Sequence, residues 1–410
     1  MPALQRRTSA VLVVSQILGG LGVAIGIALA PMLATEVTGS EALSGLAPTA
    51  SVAGTALLSL PLAALMTSRG RRPGLVLAYL IGALGGALVV LGTMVRSFPL
   101  LLLGMAAFGA GSSANLQARF AAADLIGPER RGRAISTVIW ATTIGSVVGP
   151  NIAAPAGRVF RGTTPVPESA GPYLWSAAAF LLAGVVVAVL LRPDPLLTAR
   201  ALTPQIPQGE RKRSLRAGVA AVRESPMAKL ALVAVTVSHT AMVSIMVMTP
   251  VHLGGHGADL QLIGLVISGH IAGMYAFSPV MGWLADRFGR LSVIGLAVGL
   301  LSTAALLAGT AGPRHGQTAL GLFVLGLGWS AGMIAGSALL TDSVPQEARA
   351  AVQGLSDLTM NAAAGIGGAS AGVIVAQWGY GPLNAIGAAL LLPVAALALR
   401  RSMKPSAAGA

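Results

Sequence analysis

Long apolar segments recur along the whole sequence, and they constrain the fold more than any other feature. A helix needs about 20 apolar residues to cross a bilayer core, whereas the strands of a membrane β-barrel are about half that length. Twelve segments reach helix length, at about residues 10–34, 43–67, 73–94, 98–124, 134–157, 172–192, 227–252, 260–284, 292–312, 318–341, 351–377 and 382–400. The sequence therefore predicts an all-α integral membrane protein with twelve transmembrane helices.

Composition supports a membrane protein and argues against a nucleic-acid partner. Of 410 residues, 54% are hydrophobic and only 10% are charged. The net charge of +14 comes from short basic bursts between apolar segments, and 4% aromatic residues are too few for base-stacking platforms. The chain has no cysteine, so it has neither disulfides nor thiolate metal ligands. Arg6 and Arg7 precede an apolar run without a small-residue cleavage pattern, which we interpret as a first membrane helix rather than a removed signal.

The distribution of arginine predicts the orientation in the membrane. Basic residues cluster in alternate loops, which is typical of the cytoplasmic side. This side would carry Arg69, Arg71, Arg72, Arg130, Arg131, Arg133, Arg287, Arg290, Arg349, Arg400 and Arg401. Few basic residues occur in the opposite loops, namely Arg96, Arg158, Arg161 and Arg314. Both termini are therefore expected in the cytoplasm, with the protein in the cell (inner) membrane.

One long polar connection divides the chain. Residues 193–226 are rich in Pro, Arg and Lys, including Pro193, Pro195, Arg211, Lys212, Arg213 and Arg216, and we expect them to be too polar to bury. This predicts an N-terminal six-helix bundle at 1–192, a cytoplasmic linker at 193–226 and a C-terminal six-helix bundle at 227–410. Six plus six helices is the layout of a transporter built from repeats. We expect a monomer in the lipid bilayer.

Each half has a short basic turn between its second and third helices. In the second half the turn reads GWLADRFGR, and its key residues are Asp286, Arg287, Gly289 and Arg290. In the first half it reads ALMTSRGRR, with Gly70, Arg71 and Arg72 retained but Thr67 where the acid would be. Glycine permits a tight turn, and a carboxylate can pair with a base or a helix N-terminus. We expect these turns to control conformational change.

With this layout and these turns, the whole chain resembles the major facilitator superfamily. The resemblance implies a secondary transporter that works by alternating access. The fifth segment contains GSVVGPNIAA, which is similar to the glycine–proline motif of proton-linked antiporters, although Ala153 and Ala154 replace its last glycines. The alternative is that Gly145, Gly149 and Pro150 only permit close packing and a bend.

Polar residues within the apolar segments are costly unless they are paired or functional. The fourth segment contains Asn115, Arg119 and Asp124, and the eleventh contains Asp357 and Asn361. One interpretation is a cytoplasmic gate or a pair linked to proton movement, favoured for Arg119 and Asp357. The other is interfacial snorkelling and hydrogen bonding between helices, favoured for Asp124.

Soft side chains occur at helical spacing in the seventh and eighth segments. His239, Met242 and Met246 share one stripe, while His270 and Met274 are four residues apart. Because the two helices are antiparallel, these side chains are expected at overlapping depths. Thioether and neutral imidazole suit Cu(I), and the absence of carboxylates argues against Zn or Ca. The alternative is that they are ordinary core residues.

Met-x-x-x-Met followed by His-x-x-x-Met resembles the bacterial copper-importer branch of the same superfamily. The resemblance implies that Met242, Met246, His270 and Met274 bind copper as the transported ion, with no permanently bound cofactor. Importers of that branch are thought to use cysteines, which this chain lacks. The main alternative is proton-coupled efflux or uptake of a small organic compound, such as a drug or riboflavin. A non-transporting receptor on the same fold is a third reading, and no motif supports an enzyme.

Overall fold

The computed structural model describes residues 2–39, 43, 46–158, 166–167, 169–202, 215–258 and 260–402. Within these ranges the regular structure is helical, with no β-strand. The helices are α1 (Pro2–Thr38), α2 (Leu46–Arg69), α3 (Arg71–Met94), α4 (Phe98–Ala121), α5 (Arg131–Arg158), α6 (Gly171–Leu190), α7 (Pro195–Leu202), α8 (Leu215–Glu224), α9 (Pro226–Gly255), α10 (Leu260–Tyr275), α11 (Ser278–Phe288), α12 (Arg290–Gly309), α13 (His315–Asp342), α14 (Arg349–Trp378), α15 (Tyr380–Ala389) and α16 (Leu392–Ser402). A 3₁₀ turn, Pro128–Arg130, precedes α5.

The long helices coincide with the predicted membrane segments. Eleven helical stretches in the described residues are long and apolar enough to span a bilayer. The 28-residue α5 occupies the remaining predicted position, 134–157. The seventh predicted segment is α9, the eighth is α10 with α11, and the twelfth is α15 with α16. The all-α membrane fold is therefore confirmed.

The chain forms two compact units. The first comprises 1–127, 137–221 and 345–362, and the second comprises 128–136, 222–344 and 363–410. The first turn of α5 thus belongs to the second unit, and the start of α14 belongs to the first. Inside the first unit, α3 and α4 approach closely because glycines face each other: a Cβ on Gly104 would lie 2.6 Å from the Val89 nitrogen. Such small-residue contacts are typical of membrane helix packing, where the hydrophobic effect does not drive association.

Proline explains the break in the eighth span. Pro279 has no N–H, so it cannot donate to the carbonyl of Tyr275 four residues earlier, and the helix is interrupted at residues 276–277. The Ser278 hydroxyl donates to the Tyr275 carbonyl instead, at 2.7 Å. A side chain thereby replaces the missing backbone donor, which is how membrane helices tolerate proline.

The predicted linker is partly structured. Its first helix, α7, buries Leu196, and Asp194 accepts hydrogen bonds from the Leu196 and Leu197 nitrogens at its N-terminus. The same carboxylate accepts from the Arg72 nitrogen at the start of α3, at 2.7 Å. Although the linker is polar as a whole, the apolar residues of α7 allow this part to dock on the first unit. Arg211, Lys212 and Arg213 lie outside the described residues.

Candidate functional site: the charged turns and the intramembrane pairs

The second-unit turn places its carboxylate on the N-terminus of α5. Asp286 accepts hydrogen bonds from the Gly132 and Arg133 nitrogens, both at 2.9 Å. Backbone N–H groups in the first turn of a helix have no acceptor within that helix, and the N-terminus carries a partial positive charge. The carboxylate supplies the missing acceptor and stabilises the N-terminus of α5. The close approach of α11 to α5 depends on glycine, because a Cβ on Gly132 would lie 2.8 Å from the Gly282 carbonyl oxygen.

Arg290 connects this carboxylate to a second acid. It donates to Asp286 at 2.7 Å and lies 3.4 Å from Asp342 at the end of α13. Asp342 also pairs with Arg131, the first residue of α5. Asp286 is 4% exposed at its side chain, so this network is shielded from water and less screened than a surface pair. Sequence reasoning missed Asp342, although an acid at the end of an apolar segment was a usable signal.

In the first-unit turn, the arginine points inward. Arg71 is fully buried, and its guanidinium binds Asp124 bidentately, at 2.7 and 3.2 Å. It also donates to Gln117 at 3.3 Å and to Gln353 at 2.5 Å. Asp124 is therefore half of a buried ion pair, rather than an interfacial side chain reaching for water. No local pattern indicated Gln353, because it is 282 residues away in the sequence.

A second buried pair joins α4 to α14. Arg119 donates to Asp357 at 2.8 Å, and the side chains are 3% and 0% exposed. Gln117 donates to the other carboxylate oxygen at 2.7 Å, and the Asn361 amide donates to the Asp357 backbone carbonyl. Four of the five polar residues that sequence analysis singled out in the fourth and eleventh segments, Arg119, Asp124, Asp357 and Asn361, thus fall into two adjacent networks, which share Gln117. The fifth, Asn115, accepts a hydrogen bond from the Tyr79 hydroxyl at 3.0 Å instead. Removing one charge from a buried pair is costly, so this ion pair and its hydrogen bonds stabilise the contact between α4 and α14.

The glycines of α5 act in packing. A Cβ on Gly145 would lie 2.5 Å from the Leu21 nitrogen, and one on Gly149 would lie 2.7 Å from the Ala24 methyl. Both positions therefore bring α5 against α1. The backbone at Pro150 is helical, but its side chain lies outside the described part of the chain.

The predicted soft ligands lie on α9 and α10, and α13 packs against both helices. Met242, His270 and Met274 are buried, with 2%, 0% and 7% exposure, and Met246 is half-buried. The His270 Nδ1 lies 2.8 Å from the Leu322 carbonyl, which places the proton on Nδ1. Its Nε2 has no hydrogen-bond partner in the structure as described. Among the described residues, no three His, Asp or Glu side chains are grouped to hold a metal ion.

His239 has a different environment from the other four. Its Nδ1 accepts a hydrogen bond from the Trp329 indole at 2.9 Å. That nitrogen is therefore not available to a metal. The Tyr275 ring and the same indole are nearly perpendicular, with ring centroids 5.6 Å apart, so His239 belongs to an aromatic cluster.

Comparison with known proteins identifies the class. The family model of the Major Facilitator Superfamily matches residues 12–259 and 230–409, so the chain belongs to this superfamily. It is a multi-pass membrane protein and a secondary transporter of small solutes, not an enzyme. A structural neighbour is the fucose:proton symporter FucP of E. coli, with a TM-score of 0.69 and 16% identity; the match covers 97% of this chain and 98% of that one.

Curated relatives cover nearly the same length. The uncharacterized MFS-type transporter YdeG of Bacillus subtilis is 38% identical over 399 residues, covering 96% of this chain and 92% of the relative. The riboflavin transporter RfnT of Brucella anthropi is 29% identical over 395 residues, covering 96% of this chain and 94% of the relative.

Proposed function

We propose that this transporter carries a small organic solute, and that proton binding at Asp357 drives the movement. The observation that carries the proposal is the buried Arg119–Asp357 pair on α4 and α14. An ionisable pair inside a membrane segment is costly and typically marks a coupling site. The similarity to a riboflavin transporter supports an organic solute, and a riboflavin-like compound is the first candidate.

The coupling follows from the hydrogen bonds of the carboxylate. When Asp357 is ionised, it holds Arg119 and Gln117 together. A proton on Asp357 removes the attraction for Arg119 and leaves a buried cation whose partner is neutral. That state is unfavourable, so α4 and α14 would shift towards an arrangement that solvates or re-pairs Arg119.

The Asp286 network supplies the second part of the proposed mechanism. Alternating access requires helix ends to separate and rejoin, and Asp286 holds the first turn of α5 through two backbone hydrogen bonds. We assign Asp286 and Arg290 to conformational switching and not to solute contact. The first-unit turn lacks the acid, and its Arg71 instead stabilises Asp124.

Transport by the purified protein in proteoliposomes tests the proposal. Riboflavin should accumulate against its gradient when a proton gradient is imposed, and a protonophore should abolish the accumulation. Asp357→Asn should abolish accumulation but retain exchange of labelled for unlabelled riboflavin, because exchange needs no net proton movement. Asp124→Asn is the matched control, since it breaks an equally buried pair and should leave accumulation intact. Accumulation by Asp357→Asn equal to that of the unmodified protein would exclude this coupling role.

Copper is a second candidate, and one observation favours it. The buried His270 has its proton fixed on Nδ1 by a backbone carbonyl, which leaves the Nε2 lone pair to face a soft ion. Met242 and Met274 are buried on the same pair of helices. If copper is the cargo, these three residues and Met246 are its ligands. Replacing Met242 and Met274 by leucine preserves volume, so it should stop uptake of radioactive copper at normal expression. Unchanged uptake of copper would reject the ligand set.

A further inference from the structure

An aromatic cluster lies halfway along three spans of the second unit. Trp329 is near the middle of the 28-residue α13, and His239 is near the middle of the 30-residue α9. Tyr275 is the last residue of α10, at the point where α11 continues the same span. Solute sites of secondary transporters lie near the middle of the membrane and often at interrupted helices.

The three side chains are positioned by each other. The Trp329 indole donates to the His239 Nδ1 at 2.9 Å, and the Tyr275 ring meets Trp329 edge-on at a centroid distance of 5.6 Å. Because Nδ1 accepts, the proton of the neutral His239 ring is on Nε2, which is a donor. Trp329 is 5% exposed behind the other two residues, which are half-buried. His239 and Tyr275 therefore form the accessible surface of the cluster, and the buried Trp329 holds them in position.

The Tyr275 hydroxyl makes no hydrogen bond within the part of the chain that the structure describes, whereas the backbone carbonyl of Tyr275 accepts from the Ser278 hydroxyl. On α10, Tyr275 shares one side with Gly264 and Ser268, which are exposed, and with the half-buried Ile271. Leu265 is 69% exposed and lies about 80° around the helix from Tyr275. Three of the four residues on the side of Tyr275 are thus small or carry a hydroxyl, which suits a ligand-filled space better than it suits lipid.

We propose that His239, Tyr275 and Trp329 form the binding site for a planar heteroaromatic solute. The ring system of the solute stacks on Tyr275, which Trp329 and His239 hold in place from behind and from the side, and its polar edge exchanges a hydrogen bond with the Tyr275 hydroxyl. This deepens the proposed function and rests on it, since it specifies the organic solute as aromatic. It also assigns His239 to positioning the Trp329 indole of this site instead of to metal binding.

Riboflavin is the probe, because its fluorescence is quenched when its ring stacks on an aromatic side chain. Its dissociation constant is measured with the purified full-length protein in nanodiscs. Tyr275→Leu removes the ring and should raise the dissociation constant about 5- to 150-fold, which corresponds to the typical free energy of one base–aromatic stack. Tyr275→Phe keeps the ring and should have a smaller effect. Trp329→Phe keeps a ring but releases His239, and should also weaken binding.

Phe277→Leu is the matched control. Phe277 lies at the same helix break and pairs edge-on with Phe323, but it is 43% exposed and is outside the cluster. It should leave riboflavin binding unchanged. Ribitol, which has the side chain of riboflavin without the ring, should not compete.

The outcomes separate the site from the function. If the unmodified protein transports riboflavin but Tyr275→Leu and Trp329→Phe bind it normally, the site is wrong while the proposed function stands. If ribitol competes as well as riboflavin, the aromatic class is wrong. If the unmodified protein neither binds nor transports riboflavin, the proposed function fails together with the site. Should Trp329→Phe not fold, the half-buried Tyr275 still decides the matter through its two variants.

Discussion

Replacing Asp357 by asparagine removes one charge from a pair that is buried on both sides. Asparagine has nearly the same shape and keeps one oxygen for the Gln117 amide, which lies at 2.7 Å. What is lost is the charge-assisted bond to Arg119 at 2.8 Å, and a guanidinium that is 3% exposed remains without its counterion. Breaking a buried pair in this way typically costs about 3–5 kcal/mol of folding free energy.

A second variant separates the charge effect from the loss of contacts. Replacing both residues at once, Arg119→Met with Asp357→Leu, removes the charges together and fills the space with apolar groups. Double replacement of buried pairs is often neutral or stabilising, so the double variant should be more stable than Asp357→Asn alone. The network around Gln117 prevents full recovery, because its amide loses the carboxylate acceptor.

Reversible unfolding of the purified protein in mixed micelles measures these free energies. Asp357→Asn should lie about 3 kcal/mol or more below the unmodified protein, and the double variant should recover part of the loss. If Asp357→Asn is as stable as the unmodified protein, Arg119 does not depend on Asp357 as its counterion and the reasoning is wrong. The reasoning is also wrong if the double variant loses as much stability as Arg119→Met and Asp357→Leu lose when their separate losses are added.

Three other predictions concern the turns and the topology. Asp286→Asn should slow transport several-fold while leaving solute affinity close to normal, and an equal loss of affinity in a binding assay would contradict the switching role. Gly70 and Gly289 both have positive φ, at 94° and 90°, so alanine at either position is strained by about 1–3 kcal/mol. Gly70→Ala should lower the thermal stability further, because its Cβ would lie 2.5 Å from the Asp194 carboxylate, whereas at Gly289 nothing lies within 4 Å. Equal losses would show that Asp194 moves aside freely. Finally, protease should reach the 193–226 linker only from the cytoplasmic side, and cleavage in intact cells would reject that topology.

Apolar length alone was enough to predict the membrane fold. A segment of 20 apolar residues is stable only where it is shielded from water. In a bilayer its backbone N–H and C=O groups must bond to each other, and a helix achieves this within the segment. Twelve such segments and their flanking arginines therefore specify helices without any knowledge of contacts. The turn from Gly282 to Arg290 was also visible, because its glycines and charges are adjacent in the sequence.

Partners distant in the sequence were decided only by the tertiary structure. Arg119 and Asp357 were each notable as charges in apolar segments, but they are 238 residues apart and nothing local joins them. Asp286 was expected to bind a base or a helix N-terminus. It does both, and only the packing of α11 on the first turn of α5 shows that the N-terminus is that of α5. The same holds for His239, whose helical spacing with methionine suggested a metal ligand. Its actual neighbour is Trp329, 90 residues away, because α13 packs against α9 and brings the indole within hydrogen-bond distance.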